Sequence, residues 1–141
     1  MSRRRAAQAE RWAGKGDGVT FPESDWKVLR SLHRTALERY CVRVLNECAV
    51  VMRDDKRSGH DRYLHLVRLV QERDDGIAAT FDDLRRSTAI QRLAAMINLG
   101  VVSSAELGQF IPATRESATA LAEIFAIHVT SPGLMITLLV R

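Results

Sequence analysis

Residues that interrupt regular structure are scarce in this sequence of 141 residues, which contains only three prolines and eight glycines. Aromatic residues make up 6% of the chain, and two residues are cysteine. The shortage of proline and glycine excludes collagen-like and low-complexity chains, and so few cysteines exclude a small disulfide-stapled scaffold. A chain of this length buries enough surface to fold without a disulfide or a structural metal. We therefore predict a globular protein with one compact domain.

Long apolar runs are also missing, because no run reaches the roughly 18 residues that are needed to cross a membrane. No apolar segment follows the first arginines, so we expect no secretory signal. Cys41 and Cys48 lie on one predicted helix, about 10 Å apart along its axis, which is too far for a disulfide bond. Two reduced thiols are typical of the cytoplasm, which is the expected location.

The net charge is distributed unevenly along the chain. The sequence has 21 Lys+Arg against 17 Asp+Glu, a formal charge of +4. Residues 1–15 contain five basic residues and one acidic residue, so they account for the whole excess. Gly14, Gly16 and Gly18 then form a joint. We expect a flexible basic arm at residues 1–18, followed by a single helical domain at residues 19–141.

Helical periodicity dominates this domain. From Pro22 to about Arg53, apolar residues recur at intervals of three and four, which predicts one helix of about 29 residues. Further helices are expected at about 60–79, 81–99, 104–110 and 114–127. The predicted fold is all-α, a bundle of four to five helices built on the long N-terminal helix, with a possible short strand-like tail at the C-terminus.

Several residues suit the ends of these helices. Ser103 and Glu106 match the capping-box pattern, and Gly100 suits the end of the third helix. Thr80 and Thr114 are predicted to cap the third and fifth helices. The apolar row predicted to face the core on the second helix consists of Tyr63, Val67, Val70, Ile77, Ala78 and Phe81.

Two polar residues fall within predicted apolar rows. His33 interrupts the row of the first helix and Asp74 that of the second, and a buried charge needs a partner. Antiparallel packing places the two at different levels, so we expect Asp74 to meet an arginine or a backbone donor instead. Both residues are interpreted as structural more readily than as catalytic.

Patterns of known catalytic or metal chemistry are absent. Adjacent aspartates diverge by about 100° on a helix, and His60 and His65 have the wrong spacing for a shared metal. No nucleophile triad, P-loop or dinucleotide motif occurs. Residues 94–110 resemble a helix-turn-helix in outline, but residues 104–110 contain no Lys or Arg, which disfavours DNA reading there. We expect no catalytic residue, metal or cofactor; a small helical enzyme remains a minor alternative.

The leading functional interpretation is a non-enzymatic helical interaction or adaptor protein, a subunit of an intracellular oligomer or complex. Its basis is the surplus of apolar surface in the C-terminal tail, which is either a buried strand or helical turn or a segment that pairs with another chain. The predicted interaction residues of the tail are Leu134, Met135, Ile136, Leu138, Leu139 and Val140.

The alternative interpretation is a nucleic-acid-binding accessory protein that uses the basic arm. Arginine and lysine would contact phosphates, and a tryptophan would stack on a base or an apolar surface. Basic residues on the first helix extend this patch. The candidate binding residues are Arg3, Arg4, Arg5, Arg11, Trp12, Lys15, Lys27, Arg30 and Arg34.

Overall fold

The structure is a computed structural model that describes residues 21–129. All regular structure in this range is helical, which confirms the all-α prediction. The predicted arm at residues 1–18 and the predicted interaction tail at residues 134–140 lie outside the described residues. The helices are α1 (Glu23–Met52), α2 (Gly59–Phe81), α3 (Ala89–Asn98), α4 (Ser104–Leu107) and α5 (Pro112–Val129), with a 3₁₀ turn at Arg86–Thr88 before α3.

Helix α1 is the predicted long helix and has 30 residues. It begins directly after Pro22 and contains no glycine or proline, so nothing interrupts its backbone hydrogen bonds. One face is buried along its whole length, as the apolar periodicity predicts. The buried apolar residues are Leu29, Leu32, Ala36, Tyr40, Val44, Cys48 and Val51.

Helix α2 packs antiparallel against the second half of α1. An ion pair of 2.8 Å joins Arg73 Nη2 to Glu47 Oε2, and Arg62 donates a 2.7 Å hydrogen bond to the Met52 carbonyl. A Cβ atom at position 76 would lie 3.0 Å from the Tyr40 hydroxyl oxygen, so Gly76 gives that ring its room. These contacts fix which side of α2 faces α1.

The predicted third helix at 81–99 is wrong in its first part. Helix α2 continues through Phe81, which is buried and stacks edge to face on the His33 ring. The chain then turns at Asp83, which has a φ of 58°, and its carboxylate pairs with Arg85. Thr80 is consequently a buried residue inside α2 and caps nothing. The short side chain of aspartate tolerates this left-handed conformation better than most residues do.

Helix α3 is the centre of the core and packs mainly against α5. Leu93, Ala94 and Met96 are fully buried. The facing side of α5 is built from small residues, including Ser117 and Ala118, which allow the two helices to approach closely. Gly100 follows the end of α3 with a φ of 69°, as predicted for a glycine stop.

The capping box of α4 is also confirmed. Ser103 Oγ accepts from the Glu106 N–H at 3.1 Å, and Glu106 Oε1 accepts from the Ser103 N–H at 2.9 Å. Arg39 of α1 adds a two-pronged ion pair to the same carboxylate, with distances of 2.6 and 3.0 Å. The pair lowers the pKa of Glu106 from 4.5 to about 2, first through the hydrogen bonds from Arg39.

The Glu106 carboxylate makes the free energy of unfolding depend on pH. Because the folded pKa of Glu106 lies below its unfolded value, its contribution is complete above about pH 5 and is lost as the pH falls toward 2. We expect Glu106→Gln to lower the free energy of unfolding by roughly 1–2 kcal/mol near neutral pH, a figure reduced for the exposure of Arg39. Urea unfolding at several pH values measures this difference, and a difference that stays constant down to pH 2 would contradict it.

The start of α5 differs from the prediction. Thr114 does not cap the helix, which already begins at Pro112. Its hydroxyl instead donates a 2.5 Å hydrogen bond to Oδ2 of Asp25, while Oδ1 accepts from the Ile111 N–H at 3.2 Å. Asp25 is 1% exposed. A buried carboxylate from the first turn of α1 therefore holds the beginning of α5 in place.

Candidate functional site

Exposed large apolar side chains are concentrated on the hairpin formed by α1 and α2. Elsewhere in residues 21–127, only Ile111 and Ile127 are of this kind. Single exposed apolar residues are normal, but a cluster on one element indicates a surface that another molecule covers. The exposed residues of the hairpin are Val42, Leu45, Val50, Met52, Tyr63, Leu64, Val67 and Val70.

On α1, three of these exposed residues form one row together with the half-buried Ala49. Val42, Leu45, Ala49 and Met52 are spaced by three or four positions, so they share one side of the helix. Leu45 is 65% exposed and Met52 is 55% exposed. Val50 is also exposed but lies outside this row.

On α2, a second row consists of Tyr63, Val67 and Val70, again spaced by three and four positions. Tyr63 is 63% exposed. Leu64 is also exposed and lies three positions before Val67, at the edge of this row. The two rows together have seven members, which we call the hairpin face: Val42, Leu45, Ala49, Met52, Tyr63, Val67 and Val70.

Helix geometry places both rows on the same side of the hairpin. On α1, Leu45 directly follows the buried Val44, and on α2, Val70 directly follows the buried Leu69. One step along an α-helix is a rotation of about 100° about the helix axis. On each helix, the exposed row is therefore rotated by about 100° from the row that contacts the other helix, in the sense in which the chain advances. Because the two helices are antiparallel and face each other, the same rotation on each helix brings both exposed rows to the same side of the plane that contains the two helix axes. The hairpin face is thus a single surface.

The prediction that Tyr63, Val67 and Val70 face the core is wrong, although Phe81 is buried and Ile77 packs on the core. The row of α2 residues that lies one position earlier in the sequence faces α1 instead. This row contains two arginines, but each has a partner on α1, and Leu66 and Leu69 fill the space between them. The row that packs on α1 consists of Arg62, Leu66, Leu69, Arg73 and Gly76.

Charged residues mark the two ends of the hairpin face. Glu38 continues the row of α1 and Asp74 that of α2, both at the end away from the turn, which we call the base. Arg53 and His60 continue the same rows at the turn, which we call the tip. All four are exposed. The hairpin face is therefore apolar in its middle, with two carboxylates at its base and Arg53 beside His60 at its tip, and Arg34 lies one turn of α1 beyond Glu38.

The hairpin face is large for a free surface. The exposed fractions of its six large residues correspond to roughly 600 Å² of apolar surface, which is the upper limit for the largest patch on a typical monomer. Its chemistry suits the burial of another apolar protein surface.

The polar residues considered as a possible site do not come together. His33 Nε2 lies 2.8 Å from the Phe81 carbonyl oxygen. Asp74 is exposed and has no hydrogen bond or ion pair to any described residue, so the predicted arginine or backbone partner is wrong. His65 lies beside Arg57, with 3.3 Å between the nitrogen atoms. The surroundings of the two histidines indicate structural roles.

The candidate binding residues of α1 have the predicted placement. Lys27, Arg30 and Arg34 are all exposed, and their spacing places them on one side of the helix. None of them forms an ion pair with a residue in 21–129. The six predicted binding residues of the arm and the apolar tail lie outside the described residues.

Other site chemistry is missing from the described part of the chain. No cluster of three or more histidine, cysteine or acidic residues is arranged to hold a metal ion there. Cys41 and Cys48 are free thiols, in agreement with the prediction from their spacing. Between residues 21 and 129, no helix combines the length and apolar character that a membrane span requires.

Comparisons with protein families, with curated proteins and with solved structures found no match to this chain. The function of the chain is therefore inferred from its own residues. The hairpin face is the feature that periodicity missed. A signal for it was present, because α1 and α2 each contain two neighbouring apolar rows where a helix packed on one side needs one.

Proposed function

We propose that this protein acts by binding another protein, as a subunit of an assembly, and not by catalysis. The bound surface is the hairpin face, and the partner surface is a complementary apolar stripe. The observation that supports this is the exposure of Leu45, Met52 and Tyr63 in one continuous surface on a rigid hairpin. Large apolar side chains of this kind dominate the energetics of protein interfaces.

The rigidity of the hairpin strengthens this proposal. The ion pair between Glu47 and Arg73 and the hydrogen bond from Arg62 lock α1 and α2 against each other. A surface fixed before binding loses little conformational entropy when a partner covers it. Apolar rows on a rigid pair of helices are therefore suited to binding, whereas the same residues on a loose segment would be costly to order.

Nucleic-acid binding is the weaker alternative. Lys27, Arg30 and Arg34 place three positive charges on one side of α1, and none of them forms an ion pair with another residue in the described part of the chain. Because each phosphate contact adds a small, salt-dependent amount of affinity, three cations alone give weak binding at physiological salt. The apolar surface nearby would remain unexplained in that case. Protein binding accounts for the larger feature.

A pair of matched variants tests the proposal. Leu45→Asp places a charge on the hairpin face, and Val50→Asp places the same charge on an equally exposed position of the same helix outside it, since Val50 is 69% exposed. We expect a tagged chain, expressed in its native host, to retain its partner in the Val50→Asp form and to lose it in the Leu45→Asp form. Binding is then measured with the purified partner.

The expected difference in this measurement is a loss of affinity of roughly 30-fold or more for Leu45→Asp, as for a central interface residue, with little change for Val50→Asp. Circular dichroism and thermal unfolding check that both variants fold. Equal recovery and equal affinity for the two variants would contradict the proposal, because binding would then not involve the hairpin face.

A further inference from the structure

The hairpin face has the properties of a surface that pairs with itself. We propose that its partner is a second copy of this chain, with the two hairpins face to face and antiparallel, so that the tip of each covers the base of the other. This inference rests on the proposed function and names its partner. Three features support it: the area of the face, the distribution of its charges and the antiparallel geometry of its rows.

The area is close to what a stable dimer needs. A standard interface buries about 800 Å² on each partner, with an apolar centre and a polar rim. The large residues of the hairpin face supply roughly 600 Å² of this, and the charged residues at its ends supply a rim. A small ligand or a short peptide would leave much of this apolar surface in water.

The charges favour one orientation of the two copies. Glu38 and Asp74 place two negative charges at the base, and Arg53 places a positive charge at the tip, beside His60. When two copies pair antiparallel, the carboxylates at the base of each copy lie against the tip of the other copy, where Arg53 is located. This contact occurs at both ends of the interface. When they pair with their tips together, the carboxylates of Glu38 and Asp74 from the two copies face each other, and this like-charge contact costs affinity. The contact between Glu38 of one copy and Arg53 of the other therefore favours the antiparallel orientation.

The same orientation satisfies the symmetry of a closed dimer. A two-fold axis through the middle of the face, across the helices, places each α1 row on the α1 row of the other copy, and likewise for α2. Each pair of facing helices is then antiparallel, as in four-helix bundles. Leu45 and Ala49 lie near the axis on α1, and Val67 lies near it on α2.

Sedimentation velocity on the full chain, from about 1 to about 200 μM, tests the partner. We expect a concentration-dependent species of about twice the 15.8 kDa chain mass. Leu45→Asp and Val67→Asp should raise the dissociation constant roughly 30-fold or more. The control Val50→Asp places the same charge on an exposed position of α1 outside the hairpin face and should leave the dissociation constant nearly unchanged.

Charge reversal tests the orientation. Glu38→Arg with Asp74→Arg makes both ends of the face basic, so antiparallel pairing should weaken by about tenfold. Adding Arg53→Glu with His60→Glu to the same chain exchanges the two ends and should restore the affinity. If the tips were paired together, the first pair of changes would exchange one like-charge contact at the base for another, and the affinity would stay constant.

Two results would overturn the inference. One is a wild-type chain that stays at the mass of a monomer up to about 200 μM; the proposed function then depends on a different protein, which its own test detects. The other is association that Leu45→Asp and Val67→Asp leave intact but that a chain ending at Val129 loses, because the C-terminal segment would then hold the copies together.

Discussion

Replacing Asp25 with alanine is expected to lower the free energy of unfolding by about 3 kcal/mol. The carboxylate is 1% exposed and accepts hydrogen bonds from the Thr114 hydroxyl and the Ile111 N–H. Alanine would leave the buried Thr114 hydroxyl without a partner and would remove the acceptor of the part-buried Ile111 N–H, and an unpartnered buried donor costs about 1–3 kcal/mol. The loss would loosen the junction between α1 and α5. Urea unfolding at one fixed protein concentration measures it.

Two control variants separate this effect from a simple loss of charge. Asp75→Ala removes an exposed carboxylate and should change stability by less than about 0.5 kcal/mol. Thr114→Val removes one donor, so its cost should largely disappear in the Asp25→Ala background. Strict additivity of Asp25→Ala and Thr114→Val would show that the two side chains are not coupled as described.

The second large effect is expected for Leu93→Ala, at about 3 kcal/mol. Leu93 is completely buried in the central helix α3, where it belongs to the main apolar cluster. The small residues of α5 already bring the two helices close, so the structure has little freedom to collapse around a cavity. The cost should therefore include both lost burial and the cavity itself.

Leu45→Ala is the matched control, because it makes the same chemical change on the hairpin face. It should alter the unfolding of the monomer by less than about 0.5 kcal/mol, since Leu45 is largely exposed there. It should instead weaken association. If Leu93→Ala and Leu45→Ala cost equal amounts in the monomer, the division into core and hairpin face is wrong.

The sequence was a reliable guide where local chemistry decides structure. Helix α1 has no breaker between Pro22 and its end, so periodicity predicts both its length and its buried side. The capping box of Ser103 and Glu106 and the glycine stop at Gly100 are similarly local patterns. Each depends on residues within a few positions of one another.

The inward side of α2 could not be predicted in this way. Its two neighbouring rows are both partly apolar, and counting apolar residues favours the row of Tyr63, Val67 and Val70. The other row packs inward because Arg73 meets Glu47 and because Gly76 leaves space for Tyr40. These partners lie 26 or more positions away in the sequence, beyond the reach of any periodicity.

Asp25 was missed for the same physical reason. An acidic residue in the first turn of a helix is ordinary, because the helix dipole favours it there. Its partners Ile111 and Thr114 are more than 80 positions away, and only the tertiary fold brings them together. The break before α3 likewise depends on the contact between Phe81 and His33 at the end of α2.

Hydroxyl-radical footprinting of the full chain is the most direct test of the hairpin face as an interface between copies. Met52 and Tyr63 are exposed in the monomer and react readily. We expect their oxidation to fall several-fold between about 1 and about 200 μM, while oxidation of Val50 stays constant. Unchanged oxidation of Met52 and Tyr63 in a sample that has associated would contradict the account, because another surface would then form the interface.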